Sequence, residues 1–167
     1  NNDVNSILNV NNCVFKNCGT HGYSFYLLIS KNANDGSQFN IRNSVFEFES
    51  KDACSGIYIK QNNREITSSN CTFIKCISDS KNNEQVSAIS IISSSNVLIE
   101  QCKFIDCSIN DKTVVMSIKP ENIECIIQNC TFDSVTDEFS CGSSISLYKE
   151  GVSLIGNVCR NCNANAI

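Results

Sequence analysis

The sequence predicts an all-β solenoid of about six coils. Three observations carry that prediction: a unit that recurs about every 29 residues, apolar residues that alternate within each unit, and polar segments of unequal length between strands. The clearest trace of the unit is CVFKNC, Cys13 to Cys18, which returns as CTFIKC (Cys71 to Cys76) and CKFIDC (Cys102 to Cys107). Two cysteines around a phenylalanine can mean chemistry or architecture, and the surrounding positions decide between them.

With the first Cys of CxFxxC as position 0, the equivalents are Cys13, Ser44, Cys71, Cys102, Cys130 and Asn157, spaced 31, 27, 31, 28 and 27 residues apart. Position +2 holds Phe15, Phe46, Phe73, Phe104, Phe132 and Cys159; position +5 holds Cys18, Glu49, Cys76, Cys107, Val135 and Cys162. Upstream, position -3 holds Val10, Ile41, Ser68, Ile99, Ile127 and Leu154, and position -5 holds Leu8, Phe39, Ile66, Val97, Cys125 and Val152. That alternation is a strand with one face buried. The inward parity of -5 and -3 flips before 0 and +2, so a bend must lie at -1. Position -1 holds Asn12, Asn43, Asn70, Gln101, Asn129 and Gly156, and Asn and Gly tolerate the left-handed backbone that a tight corner needs. The stacked carboxamides are expected to form a hydrogen-bonded ladder that satisfies buried polar groups.

A further strand is predicted after each motif, at Ser24 to Ser30, Ser55 to Lys60, Ser87 to Ile92, Thr113 to Lys119 and Ser143 to Tyr148, all rich in β-branched residues. Between strands run KNANDGSQ, KQNNRE, SSSN, KPENIE and KEG, which carry turn chemistry and absorb the differences in unit length. Each unit thus offers three short strands and cannot bury its apolar face alone, so neighbouring units must stack. Phe and Cys then form interior columns, and six coils at strand spacing give a rod of roughly 29 Å. A leucine-rich repeat is the rival reading, because LNVNNCVF (Leu8 to Phe15) fits its consensus. It lacks that consensus's earlier Leu, where Asn5, Gly36, Asn63, Ser94, Asn122 and Lys149 stand, and its return segment alternates Ser and Ile.

Stretches such as NVLIEQCKF (Asn96 to Phe104) and ECIIQNCTF (Glu124 to Phe132) resemble the right-handed parallel β-helix repeat of pectin-lyase-like proteins. The order FxxC, variable loop, SAISI (Ser87 to Ile91) is similar to the polymorphic membrane protein repeats of chlamydial surface proteins and their cysteine-rich protist relatives. There FxxN precedes GGAI, whereas here Cys stands for that Asn at Cys18, Cys76 and Cys107. The resemblance spans almost the whole chain and implies one β-helix domain over 1-167, right-handed and parallel. Asn165, Ala166 and Ile167 look like the start of another SAISI strand, and no cap is visible, so a segment of a longer solenoid is expected. The absence of an initiator Met is read as a mature or excised piece.

Twelve cysteines leave three readings. Most are expected to pack as small buried hydrophobes. Alternatively, coils stacked about 4.8 Å apart could be bridged by disulfides such as Cys71 with Cys102 or Cys76 with Cys107, with Cys54 and Cys141 compensating in the two units that lack Cys at +5. Zinc at Cys159 and Cys162 rests on a single CxxC, which the repeat already explains.

The formal charge of -4 and pI near 5.0 supply no basic field for nucleic acid, and no apolar run approaches a membrane span. Relatives of the fold that cleave acidic polysaccharides need paired carboxylates on one face. Here Asp106, Asp133, Glu47 and Lys75 read as a mixed solvated strip, Arg42, Arg64 and Arg160 fall out of register with the acids, and the sole histidine, His21 in THGY, reads as a loop residue. The sequons Asn70-Cys71-Thr72 and Asn129-Cys130-Thr131 place their acceptors in the expected ladder, where a folded corner would leave a glycan no room. No outward Thr array of the ice-binding kind is present.

The expectation is therefore a non-enzymatic structural or adhesive module, extracellular or at a cell surface, with no catalytic, cofactor or metal site. It would meet a protein or glycan partner through surface loops, or neighbouring solenoid segments. An intracellular scaffold or filament component, and a polysaccharide-active or carbohydrate-binding β-helix, are the alternatives.

Overall fold

The computed structural model describes residues 7–18, 22–28, 37–48, 54–61, 64–76, 86–93, 96–109, 114–120, 124–134, 136–137, 145–147 and 152–162. Every regular element among them is a β-strand, and every pairing is parallel. The first sheet stacks Ile7–Asn11, Ser37–Arg42, Arg64–Ser69, Val97–Glu100, Cys125–Gln128 and Val152–Ile155 in that order. The second stacks Val14–Lys16, Val45–Glu47, Thr72–Ile74, Lys103–Ile105, Thr131–Asp133 and Val158–Arg160. Gly22–Leu28, Cys54–Gln61, Val86–Ser93, Val114–Pro120 and Ile145–Leu147 make the third, at the five places expected from the sequence. A short pair, Ser108–Ile109 with Thr136–Asp137, was not foreseen. Much of the polar sequence between strands lies outside the described residues, as do His21, Cys141 and residues 163–167.

Each of the first five units gives one strand to each sheet, the sixth gives one to each of the first two among the described residues, and a unit's neighbour along the chain is its neighbour in space. The pairing register is the repeat alignment itself: Leu8, Phe39, Ile66, Val97, Cys125 and Val152 pair in sequence along the first sheet. Phe15, Phe46, Phe73, Phe104 and Phe132 do so along the second, ending on Cys159. One apolar core draws on all three sheets, with Phe39 and Ile41 from the first, Phe46 to Phe132 from the second, and Ile57, Ile59, Ile89, Ile91 and Met116 from the third. Ends of the columns are exposed: Leu8 is 42% accessible where Phe39, next in its column, is 1%.

The phenylalanines form a continuous stack, with ring centroids 4.8, 5.0, 5.0 and 4.7 Å apart and planes within 9° of parallel. Those distances are the strand spacing, about 4.8 Å. Carbon atoms pack best at about 3.5–4.0 Å, so parallel rings held this far apart must slip sideways to touch, which is the offset arrangement the ring quadrupole favours.

Three bends per unit turn the inward face. The expected bend at -1 is present in all six units: Asn12, Asn43, Asn70, Gln101 and Asn129 have φ between 50° and 55°, and Gly156 has 62°. A second lies at +4, where Asn17, Lys75, Asp106, Ser134 and Asn161 have φ of 50° to 55°. It explains how Phe at +2 and Cys at +5, an odd number of residues apart, both face inward. In the second unit Phe48 takes this place without a positive φ and is buried in the core. Local hydrogen bonding makes the left-handed region tolerable for Asn and Asp, whereas Lys75, Gln101 and Ser134 cost about 1–2 kcal/mol each.

The third bend breaks the alternation in the third sheet, where Ala88 with Ile89 and Val115 with Met116 are consecutive core residues. The pairing slips there, from Val114 opposite Val86 to Met116 opposite Ile89. Gly56 holds the same place in its unit. A Cβ on it would lie 2.8 Å from the Ala88 carbonyl oxygen and 2.9 Å from the Phe73 ring, so the close approach excludes any side chain.

The expected carboxamide ladder is only partly formed, and it is exposed. Asn70 Nδ2 donates to Asn43 Oδ1 (2.8 Å), and Asn43 Nδ2 donates to Asn11 Oδ1 (2.9 Å), not to Asn12. All the -1 side chains point out of the core, because a corner that turns the next residue inward turns its own side chain outward. Their selection follows from backbone φ, and rescue of buried polar groups plays no part in it.

Phe104 has a phenylalanine on both sides and no exposed surface. Phe104→Ala is expected to cost about 3–5 kcal/mol, read as a lower midpoint in urea or thermal unfolding. An unchanged midpoint would remove the stack from its place as the main apolar support.

Candidate functional site

Eight cysteines, the residues richest in chemistry, follow the two left-handed corners: Cys13, Cys71, Cys102 and Cys130 the first, and Cys18, Cys76, Cys107 and Cys162 the second, while Cys125 and Cys159 lie within strands. Cys71, Cys102 and Cys130 follow the -1 residue and are wholly buried. Each thiol donates to the position -3 carbonyl of the preceding unit: Cys71 Sγ to Ile41 O (3.6 Å), Cys102 Sγ to Ser68 O (3.5 Å), and Cys130 Sγ to Ile99 O (3.8 Å). Asn157, at the same position, places Nδ2 on Ile127 O (2.9 Å). Each thiol also approaches the carbonyl two residues before it, as Ser44 Oγ does with Arg42 O (2.8 Å).

The second corner repeats the device. Cys107 Sγ meets Phe73 O (3.7 Å) and Cys162 Sγ meets Phe132 O (3.5 Å), again the inward residue three places earlier, one unit back. The carbonyls that the thiols meet belong to strand residues in the parallel register, with Ile41 opposite Ser68, Ser68 opposite Ile99 and Ile99 opposite Ile127, so each thiol is a weak additional donor beside the ladder. CxFxxC therefore encodes two consecutive corners around one strand. The reading of the thiols as small buried hydrophobes holds for Cys71, Cys76, Cys102, Cys107, Cys125 and Cys130, which lie in the apolar core; their contacts with carbonyls one unit back were not foreseen.

Cys13, Cys71, Cys102, Cys107, Cys125, Cys130, Cys159 and Cys162 are unbridged, so neither Cys71–Cys102 nor Cys76–Cys107 is a disulfide in this structure. Cys141 and the side chain of Cys54 lie outside the described residues. Cys159 is exposed and Cys162 half-buried, and no group of three His, Cys, Asp or Glu able to hold a metal occurs among the described residues.

Burial alone pushes the Cys125 thiol up to about 12. In the row Cys71, Cys102, Cys130, ionising one thiol lets its neighbour donate to it. Donation from Cys102 holds Cys130 below the usual thiol range, and the same bond raises Cys102 to about 12. Cys71, bonded to Cys102 and desolvated, is raised as well. At neutral pH Cys71 and Cys102 are therefore uncharged and poor nucleophiles.

The carboxylates lie on the outside and serve as stitches between units. Glu47 meets Lys16 (3.6 Å), Glu65 accepts from Gln38 (3.0 Å), and Glu100 accepts from Gln128 (3.0 Å). Asp133 accepts from Asn161 and from Ser134 (both 3.1 Å). Asp106 is exposed at its corner, and Lys75 is exposed one unit earlier. Thus Asp106, Asp133, Glu47 and Lys75 share a surface without converging on a cleft, and the exposed ion pair is worth at most about 1 kcal/mol.

Both sequon acceptors, Asn70 and Asn129, are exposed, while the Cys between acceptor and Thr is buried in each. The expectation that a folded corner excludes a glycan fails for the reason already given: the left-handed residue points outward. No helix among the described residues is long and apolar enough to cross a membrane. The chain matches no family model, no curated protein and no solved structure.

If the thiols act as donors, Cys102→Ser should retain more stability than Cys102→Ala, by about 0.5–1.5 kcal/mol for one hydrogen bond. If they act only as small hydrophobes, the order reverses, and urea midpoints of the two variants decide.

The raised thiols also make stability depend on pH. A thiol whose folded pKa lies above its unfolded value near 9.0 contributes stability that is complete below about pH 9 and lost as pH rises toward about 12. Cys130, shifted down, opposes this in part. The melting temperature is expected to fall from pH 9 upward and to fall less steeply in Cys125→Val; equal slopes would discharge Cys125 from the effect.

Proposed function

We propose that the chain is a right-handed parallel β-helix of about six coils, period about 29 residues, acting as a non-enzymatic structural or adhesive module. It resembles the pectin-lyase-like repeat and the polymorphic membrane protein type in its cysteine-rich units. The fold is a stiff rod outside the cell or at its surface, and its unequal polar segments meet a protein or glycan partner, or a neighbouring solenoid segment.

One observation carries this reading: among the described residues, several of the side chains capable of chemistry hold one unit on the next. The thiols of Cys71, Cys102 and Cys130 meet carbonyls of the preceding unit, and Glu47, Glu65, Glu100 and Asp133 bond across units. What varies between units is the length of sequence between strands, the usual place for recognition on a rigid scaffold.

The unbridged thiols favour a second reading, an intracellular scaffold or filament component, because disulfides persist in oxidising compartments. Antibody labelling of the cells that make the protein separates the two. Signal on intact cells is expected. Signal only after permeabilisation, with all twelve cysteines alkylated, would establish the intracellular scaffold instead. Release of oligosaccharides from acidic glycans by the purified chain would overturn the non-enzymatic assignment.

A further inference from the structure

We infer that Asn129 is an N-glycan acceptor, so that the rod carries an oligosaccharide on its first corner. The inference rests on the surface reading, since the donor is met only in a secretory compartment. The transfer forms a bond between Asn129 Nδ2 and C1 of the first sugar of a lipid-pyrophosphate-linked oligosaccharide. The sugar–pyrophosphate bond breaks, the lipid pyrophosphate leaves with the bonding electrons, and Nδ2 loses one proton to a base.

Four features of the position fit a modified residue. Asn129-Cys130-Thr131 is a complete acceptor triplet. At φ 53° the corner turns the Asn129 side chain outward, while Cys130, wholly buried, anchors the backbone beside it. The side-chain carboxamide of Asn129 makes no hydrogen bond among the described residues, and only its backbone N–H is used, on Ile155 O (2.8 Å). The following unit has Gly156 at the same corner, where even a Cβ would come within 2.6 Å of Asn129 Oδ1. Among the described first corners that have a following unit, this is the one where no side chain of the next corner stands over the acceptor.

Asn70 supplies the comparison within the same chain. It is equally exposed and equally followed by Cys and Thr, but its Nδ2 is the donor to Asn43 Oδ1, and Gln101 occupies the next corner. A sugar on Asn70 would have to share that nitrogen with the ladder. Occupancy is therefore expected to be higher at Asn129.

The test expresses the full chain behind a cleavable secretion leader in eukaryotic cells and maps peptides before and after enzymatic release of N-glycans. Alongside it run Asn129→Gln, Thr131→Ala and Asn70→Gln, with circular dichroism confirming a β spectrum for each. Expected is a glycan on Asn129 that is lost in the first two variants and kept in the third, with the secreted glycoprotein folded. A secreted, folded parent with bare Asn129, or one modified at Asn70 alone, overturns the inference. The same map on protein isolated from its native cells tests the compartment separately. Bare Asn129 there, with a modified Asn129 in the secreted chain, leaves the acceptor intact and removes the surface reading.

Discussion

Parallel, in-register hydrogen bonding between consecutive units is the constraint on which the rest of this structure depends. It fixes a repeat of about 4.8 Å along the stack and sets each residue on its counterpart from the preceding unit. A one-residue slip would turn every apolar side chain of a strand to the wrong face, so register and burial enforce each other. Like-on-like stacking then follows without further instruction, and its products differ by residue type. Phenylalanines give a slipped aromatic stack, aliphatic residues give dry columns, and outward polar residues give rungs such as Asn40 Nδ2 on Asn9 Oδ1 at 3.0 Å.

The same constraint makes corners expensive, because ten non-Gly residues and Gly156 must take a left-handed backbone, which costs about 1–2 kcal/mol where the residue is not Gly, Asn or Asp. The arrangement is local and repeated: an outward left-handed residue, then an inward residue whose side chain reaches back one unit, as Cys71, Cys102, Cys130 and Asn157 do. Ser44 differs, since its Oγ donates to Arg42 O in its own unit and accepts from Cys13 N of the preceding one.

Most of this was legible in the sequence because stacking writes the same physics about every 29 residues. The columns at -5, -3 and +2 are the strand register itself, and the parity flip at -1 located the first corner. The second corner was equally legible, since Phe73 and Cys76 cannot both face inward without another flip. It escaped notice because Lys75, Asp106 and Ser134 are not residues that announce a left-handed backbone. The ladder differs from the expectation of buried carboxamides because a residue that turns its successor inward must itself face out. The third bend left almost no trace, because Gly56, Ala88 and Val115 share only smallness, and their reason lies in distant atoms such as the Phe73 ring. No catalytic site was expected from the sequence, and nothing in sequence spacing distinguishes a thiol that caps a carbonyl from one that merely packs.

The placement of the cysteines sets what oxidation would change. A disulfide along a column would tie neighbouring units but remove both thiol protons, so bridging and the thiol–carbonyl contacts compete for the same sulfurs. Cys102 illustrates the competition: its thiol lies 3.5 Å from Ser68 O and 3.6 Å from Ser68 Oγ. Ser44 and Asn157 carry groups that cannot form a disulfide, so at position 0 the competition is confined to the units that have Cys there.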